Sequence, residues 1–493
     1  MPKSNAGLGA LTSQQLTASG CPDSRVYVQA APGSGKTTVS ALRFGLHRFS
    51  ALSDPRAVVA VSFTRSATEE LRARVFRQWG SASLRWPHRI VTLDTLLCDL
   101  LFHLLDEDVL HWPGGRRELE VMDSWRTILP IQRSRIKPVL QVDNGHIVIR
   151  TFHEHRPASH PSALHFKGAI LAGTCTHDNV REVLQGALTT ASARQALVSY
   201  FETSVRSLTV DEVFDANDLD RDIFSLAASA SSSLTLVGDP WQALYQFRGA
   251  RPTAMEQYIS ENRFTTHHLG VSFRWENDRQ SWMTRQLRRR VPVRLLEGSA
   301  GEADVVLAHK WKQLWGCDPL VLPLAIKPGV GQVQDAICTL LLNEITQNAL
   351  GMQATFLHDA LVTLGLDKEA LAVMARPCLQ AAVADLKDGH QPAPVWQRLI
   401  ASLTDRIPTI SAAELTRKPV SALHLLQLRL TDSQLIPGLT YHQSKGREWN
   451  TVGIKLNPAE VAALANGLDP AQEDHRALYV GLTRARLNTF ALA

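Results

Sequence analysis

The stretch Ala30-Ala31-Pro32-Gly33-Ser34-Gly35-Lys36-Thr37 constrains this chain more than any other. A strand-like run, Val26-Tyr27-Val28-Gln29, precedes it, and a helix-compatible run from Thr37 to Arg43 follows. Strand, glycine-rich loop and helix in that order form a cradle for phosphate groups. Gly33 and Gly35 let the backbone curl, so that its N–H groups, with that of Ser34 between them, point at an anion. The new helix adds the positive end of its dipole. Lys36 can reach the β- and γ-phosphates of a nucleoside triphosphate, and the Thr37 hydroxyl, with Thr38 beside it, can sit at a Mg²⁺ ion. Ala30 stands where the general pattern has its first glycine.

At 493 residues the chain is too long for one core, and two to four domains are expected. An apolar fraction of 44% with 20% charged residues is that of an ordinary globular protein. The net charge of +5 suits nucleic acid without requiring it. Six scattered cysteines with no C-x-x-C pair argue against a disulfide framework or a zinc site, and for a reducing compartment. The first residues hold no apolar signal region, and no run of about 18 apolar residues exists, so a cytoplasmic protein with no membrane partner is expected.

Short β-branched runs alternate with helical stretches. Ala57–Val61, Leu208–Val210 and Leu234–Val237 read as buried strands, the last two each leading into an acidic residue. That is the pattern of a parallel, doubly wound sheet, whose ligands sit at the strand C-termini. The fold class expected is α/β, with two parallel-sheet modules each interrupted by a mainly helical insertion. The boundaries drawn are 1–96 for the start of the first module, 97–205 for its insertion and 206–264 for its return. The second module starts over 265–343, is interrupted by a reduced helical insertion over 344–425, and closes over 426–493. The first insertion reads as mostly helical with an irregular middle rich in His and Pro.

Asp211-Glu212 ends one of the strands. In a phosphate-loop protein the aspartate can help hold Mg²⁺, and the glutamate can orient or deprotonate the attacking water.

From here the chain resembles a family. Asp211-Glu212-Val213-Phe214-Asp215-Ala216-Asn217 is similar to the D-E-x-Q-D-x-N box of UvrD/Rep/PcrA-like superfamily 1A helicases. Val237 to Ala250 resembles V-G-D-x-x-Q-x-I-Y-x-W-R-G-A, and Leu269 to Arg274 resembles L-x-x-N-Y-R. Thr440 to Trp449 matches T-x-H-x-x-K-G-x-E-F/W, and Tyr479 to Arg486 matches Y-V-x-x-T-R-A. Ser62-Phe63-Thr64 with Ala67, and Leu11 to Gln15, resemble two further boxes. These boxes follow the family's order from residue 11 to 486 and leave the two insertions uncovered. In compactness the chain also resembles the helicase subunit of Gabija-type antiphage systems.

The resemblance implies two RecA-like modules, ATP and Mg²⁺ as cofactors, and single-stranded or forked DNA as partner. It implies 3′→5′ movement along DNA, with ATP hydrolysed in a cleft between the modules. Gln15 would read the adenine edge and Phe273, where the family has Tyr, would stack on the ring. Arg274 and Arg484 would be arginine fingers on the γ-phosphate, Gln242 its sensor, and Glu448 a ribose or second-module contact. Phe63, Thr64, Tyr245, Phe247, Arg248, His442 and Trp449 would touch nucleic acid, where stacking on aromatics ignores sequence. The Gabija likeness implies an alternative: an ATP-gated DNA sensor that activates a partner nuclease in antiviral defence. The unaided helicase reading leaves repair or another pathway open.

Three departures stand out: Phe214 for Gln, Ser272 for Asn, and Asp94 where the family has His and where a carboxylate would repel phosphate. His153-Glu154-His155 with His160 and His165 fits no zinc spacing and reads as an exposed irregular loop. Arg288-Arg289-Arg290 reads as a basic, phosphate-facing or solvated helix end.

Overall fold

The computed structural model describes residues 11–246, 249–326, 332–407, 419–431 and 434–492. The chain divides into two compact units, Met1–Phe273 and Arg274–Ala493.

The first unit is built on strands β1 (Arg25–Ala30), β2 (Ala57–Ser62) and β3 (Arg89–Thr92), followed after a long insertion by β8 (Val205–Asp211), β9 (Ser233–Gly238) and β10 (Thr265–Leu269). They form one parallel sheet in the order β10-β1-β9-β8-β2-β3. Both faces carry helices, so the central strands are near-continuous Val, Leu and Ala runs, buried on both sides. β1 lies between β10 and β9, so the chain order reverses across it, and the loop after β1 opens at the point where such sheets bind ligands. β10 begins at the boundary drawn at 264, yet it pairs with β1 throughout its length, and the unit runs on through Phe273. Its Thr-Thr-His-His-Leu sequence is half-exposed because it is an edge strand.

The insertion holds helices at Ala163–Ala172, His177–Ala187 and Ala191–Ser204, and a small parallel pair, β4 (Glu120–Met122) with β7 (Thr174–Thr176). Its middle is not an irregular loop. β5 (Ile131–Asp143) and β6 (His146–Pro161) form an antiparallel hairpin turned at Asn144-Gly145. Leu140 and Ile147 face the core, while Arg150 and Phe152 stay exposed. His153, His155 and His160 lie on β6. His160 Nε2 meets Glu154 Oε2 at 2.8 Å, and among the described residues no group of His, Cys, Asp or Glu is arranged to hold a metal.

The second unit has a sheet of its own: β11 (Glu297–Gly298), β12 (Val305–Ala308), β13 (Val321–Pro323), β14 (Ile436–Thr440), β15 (Trp449–Lys455) and β16 (Ala485–Leu492). All its pairings are parallel, in the order β11-β16-β15-β12-β14-β13. Between β13 and β14 the described residues are mainly helical, from the helix Gln332–Leu350 to the helix Val420–Leu430, wider than the 344–425 span expected from sequence. These helices share one core around Trp396, Leu341 and Leu379. Arg429, almost fully buried, joins that core to the sheet. Its guanidinium donates to the Val321, Leu425 and Trp315 carbonyls and lies 4.5 Å from the Trp315 ring centroid. Among the described residues no helix is long and apolar enough to cross a membrane.

Candidate active site

β1 ends at Ala30 and the helix Lys36–Ser50 begins six residues later. Gly33 (φ 71°) and Gly35 (φ 88°) turn the intervening loop through the left-handed region, where a side chain is strained. A Cβ on Gly35 would also lie 2.4 Å from Gln15 Nε2. Gln15 is buried against this loop and donates from Nε2 to the Ser34 carbonyl at 2.9 Å. Its Oε1 accepts from Thr12 N–H, closing a capping box on the first helix. Arg43 fixes that helix from the phosphate-loop helix. Fully buried, it donates to Thr235 Oγ1 (2.8 Å) and to the Ala18 and Cys21 carbonyls (3.0 Å each).

The segment after β10 braces the loop from the other side. Ser272 Oγ donates to the Pro32 carbonyl (2.8 Å), and Phe273 N–H to the Gly33 carbonyl (2.9 Å). Ser272, a departure from the family pattern, thus ties two stretches 240 residues apart. Phe273 is 56% exposed beside the loop.

β8 delivers the acidic pair. Lys36 Nζ lies 3.1 Å from Glu212 Oε1. Glu212 adopts φ 58°, a left-handed conformation that costs a non-glycine residue about 1 kcal/mol or more and clusters at functional sites. Asp211 is buried, and its Oδ1 accepts from Glu212 N–H at 3.1 Å. Burial first, and the Glu212 carboxylate second, push the Asp211 carboxyl well above the usual range; Lys36 opposes them. Asp211 is a hard oxygen donor in this crowded negative charge and fits Mg²⁺, and Thr37 follows Lys36 on the same helix.

Past β9, Asp239 organises the next turn. Its Oδ1 accepts from Trp241 N–H (3.3 Å) and its Oδ2 from Gln242 Nε2 (2.8 Å), so the buried Gln242 amide is held in one orientation. Phe214 is 2% exposed and meets Tyr27 edge-on at 6.0 Å, so it packs the core where a glutamine would be polar. Asp94 is not a stray negative charge. Arg181 donates to it from Nε (3.0 Å) and to Asp220 from Nη1 (2.8 Å), tying three helices together.

In the second unit, Arg274 Nε donates to Glu448 Oε1 (2.8 Å) and Arg274 Nη1 to the Thr483 carbonyl (2.8 Å). Arg486 Nε reaches Glu448 Oε2 at 3.3 Å. Burial raises the Glu448 pKa, but the two guanidinium groups outweigh it and hold the carboxyl below its ordinary value. Arg484 is buried and donates from Nε to the Val480 carbonyl at 2.9 Å. Trp449 N–H donates to the Arg484 carbonyl at 3.2 Å, so the glutamate box and the arginine box meet on adjacent strands. This unit therefore gathers Arg274, Glu448, Arg484 and Trp449.

Of the residues assigned to nucleic acid, Phe63 is half-buried against the first core, and Thr64 caps the helix Arg65–Trp79 through Ala67 N–H. Tyr245, His442 and Trp449 are half-buried. Phe247 and Arg248 lie outside the described residues.

Sequence reading alone passed over three groups. Arg43 is one. Arg486 is the second, and its position two past Arg484 on a strand is the signal that could have found it. The third is Arg74, whose Nη1 donates to Thr38 Oγ1 at 2.6 Å while its Nη2 pairs with Glu70 at 3.2 Å. The i,i+4 spacing of Glu70 and Arg74 is visible in the sequence, but not the first turn of the helix Lys36–Ser50 that Arg74 reaches.

Residues 11–155 and 170–262 match the family model of the UvrD/REP helicase N-terminal domain. Over those residues, most of the first unit, the chain is UvrD-like. It is 25% identical over 289 residues to the ATP-dependent DNA helicase PcrA of Staphylococcus aureus, covering 50% of this chain and 35% of that one. YjcD of Bacillus subtilis, named as an ATP-dependent DNA helicase, is 24% identical over 300 residues, 52% of this chain and 37% of its own. A Mycoplasma pneumoniae protein with a DNA helicase name is 25% identical over 257 residues, 49% of this chain and 48% of its own. The chain spans about half the length of this last relative and just over a third of the other two. The two parallel α/β units are consistent with the two RecA-like modules of the UvrD-like fold.

Proposed function

We propose that the chain is an ATP-dependent DNA helicase that hydrolyses ATP to move 3′→5′ on single-stranded DNA. The observation that carries this reading is the Lys36–Glu212 ion pair beside buried Asp211, at the mouth of a glycine-turned phosphate loop. The pair gives both charges a partner at rest. A phosphate oxygen that takes the Lys36 ammonium leaves the Glu212 carboxylate to accept a proton from the attacking water. Mg²⁺ held by Thr37 and Asp211 would supply charge neutralisation on the phosphates. Phe273 offers a face to the adenine, and Gln15 holds the loop from behind. Arg274 and Arg484 take the γ-phosphate roles that the family resemblance gives them. Glu448 and the Thr483 carbonyl keep the Arg274 guanidinium in a fixed orientation, so less ordering is needed in the transition state. Phe63, Tyr245, His442 and Trp449 take the strand.

Strand displacement tests this directly. Duplexes with a single-stranded tail on the 3′ or the 5′ side are incubated with the purified chain, Mg²⁺ and ATP. Unwinding of the 3′-tailed substrate is expected. Preference for the 5′ tail would overturn the polarity, and no ATP-dependent unwinding of either would overturn the helicase reading.

A further inference from the structure

The helix Asp278–Arg288 and the chain just beyond it hold a concentration of charge that the nucleotide site does not use. Between Arg279 and Arg294 there are six arginines and no Asp or Glu, whereas the whole chain has a net charge of only +5. The packing fixes how this helix is turned. Gln280, Met283, Thr284 and Leu287 are buried, and Gln280 Nε2 anchors the helix to the Leu482 carbonyl (2.7 Å) and Thr489 Oγ1 (3.0 Å). At about 100° per residue, Trp282, Arg285 and Arg289 fall on the opposite side. All three are exposed, Trp282 by 50%.

Some of this charge has a structural use. Arg288 donates from Nε to Tyr479 Oη at 2.8 Å, and Arg290 lies 3.8 Å from Asp469. Cations in a last helical turn also complement the helix dipole. Neither explains Arg279, Arg285, Arg289 and Arg294, which are exposed and make no ion pair among the described residues, nor an exposed tryptophan set among them. Every cation in the stretch is arginine, the side chain whose planar fork matches phosphate and stacks on rings. A membrane-lying helix would turn its apolar side outward; here Met283 and Leu287 point into the unit and one indole faces out with the guanidinium groups.

We propose that Trp282, Arg285 and Arg289 form a single-stranded DNA contact on the second unit, separate from the family's motif residues. The arginines would hold phosphates while the indole stacks on an unpaired base. The proposal rests on the DNA reading above, and its test separates the two.

Binding of a fluorescein-labelled oligothymidylate to the full chain is followed by anisotropy between 50 and 300 mM salt. The proteins compared are wild type, Trp282→Ala and Arg285→Ala/Arg289→Ala. Thermal melting and nucleotide binding serve as folding controls. The double variant should lower the slope of log K against log salt by about 1.4, at about 0.7 per phosphate contact. Trp282→Ala should weaken binding about fivefold or more with the slope unchanged. Wild-type affinity and slope in both variants would overturn this surface while leaving the helicase reading intact. No binding by the wild type would overturn both. Loss of binding to phosphatidylglycerol vesicles, with DNA binding unchanged, would replace the strand by a membrane surface.

Discussion

The charged clusters of the two units are opposite in sign. In the first, Asp211 and Glu212 crowd a single Lys36, and one carboxyl is buried at the cost of a raised pKa. In the second, Arg274 and Arg486 share the single carboxylate of Glu448, whose pKa is held down. The acid-rich set is unfavourable until a cation arrives, and the base-rich set suits a further anion. One fold type, repeated along the chain, thus carries strand-end clusters of opposite net charge. The difference arises at strand ends, Asp211-Glu212 at the end of β8 against Glu448 and Arg484 just before β15 and β16.

That contrast can be broken from either side. Lys36→Ala leaves Asp211 and Glu212 unopposed, and ATP hydrolysis should fall to background, measured as phosphate release with melting as the folding control. Arg274→Ala removes a cation from the other set. It should lower kcat by about 10³ or more with nucleotide affinity little changed; loss of affinity with kcat unchanged would mean that the arginine serves binding alone.

Asp211→Asn sharpens the comparison through stability. Because folding raises the Asp211 pKa, its ionised form costs stability, and that cost is present above the folded pKa and fades towards pH 4. The amide should stabilise the first unit by about 1–2 kcal/mol at pH 8 while hydrolysis is lost, and by much less near pH 4. Denaturant unfolding at both values checks the sign.

Acid should then separate the units more gently. Burial first, then neighbouring arginines, lowers His47 and His88 in the first unit from 6.5 to about 4 each. Below 6.5 the unfolded chain takes protons that the folded unit refuses. Stability contributed by these two is full above 6.5 and lost as pH falls towards 4, by about 3 kcal/mol in all. Glu448 in the second unit begins to cost stability only below its ordinary value of 4.5. The unfolding transition of the first unit should move first between pH 7 and 5, with Asp211 offsetting part of the histidine loss, so Asp211→Asn should enlarge the shift.

Much of this was legible in the sequence, for physical reasons. Buried parallel strands must be apolar runs, so β1, β2, β8 and β9 announced themselves, and the phosphate loop needs glycine where φ is positive. The β5–β6 hairpin was not read. Its core-facing residues do alternate, from Pro138 through Leu140 to Val142, but the partner strand is interrupted by a register shift and crowded with His and Pro. β10 was assigned to the wrong sheet side of a boundary because an edge strand needs little apolar patterning. Asp94 looked like an obstacle to phosphate because its partner Arg181 lies 87 residues away. Arg43 and Arg486 were missed for the same reason: what a buried or shared guanidinium does depends on carbonyls and carboxylates that only folding brings near.

The most direct measurement is steady-state ATP hydrolysis by the purified chain with Mg²⁺, with and without single-stranded oligonucleotide. Hydrolysis stimulated about tenfold or more by the strand, and absent from Lys36→Ala, is the predicted result. Hydrolysis indifferent to the strand, or surviving the loss of Lys36, would contradict a DNA-driven motor built on this phosphate loop.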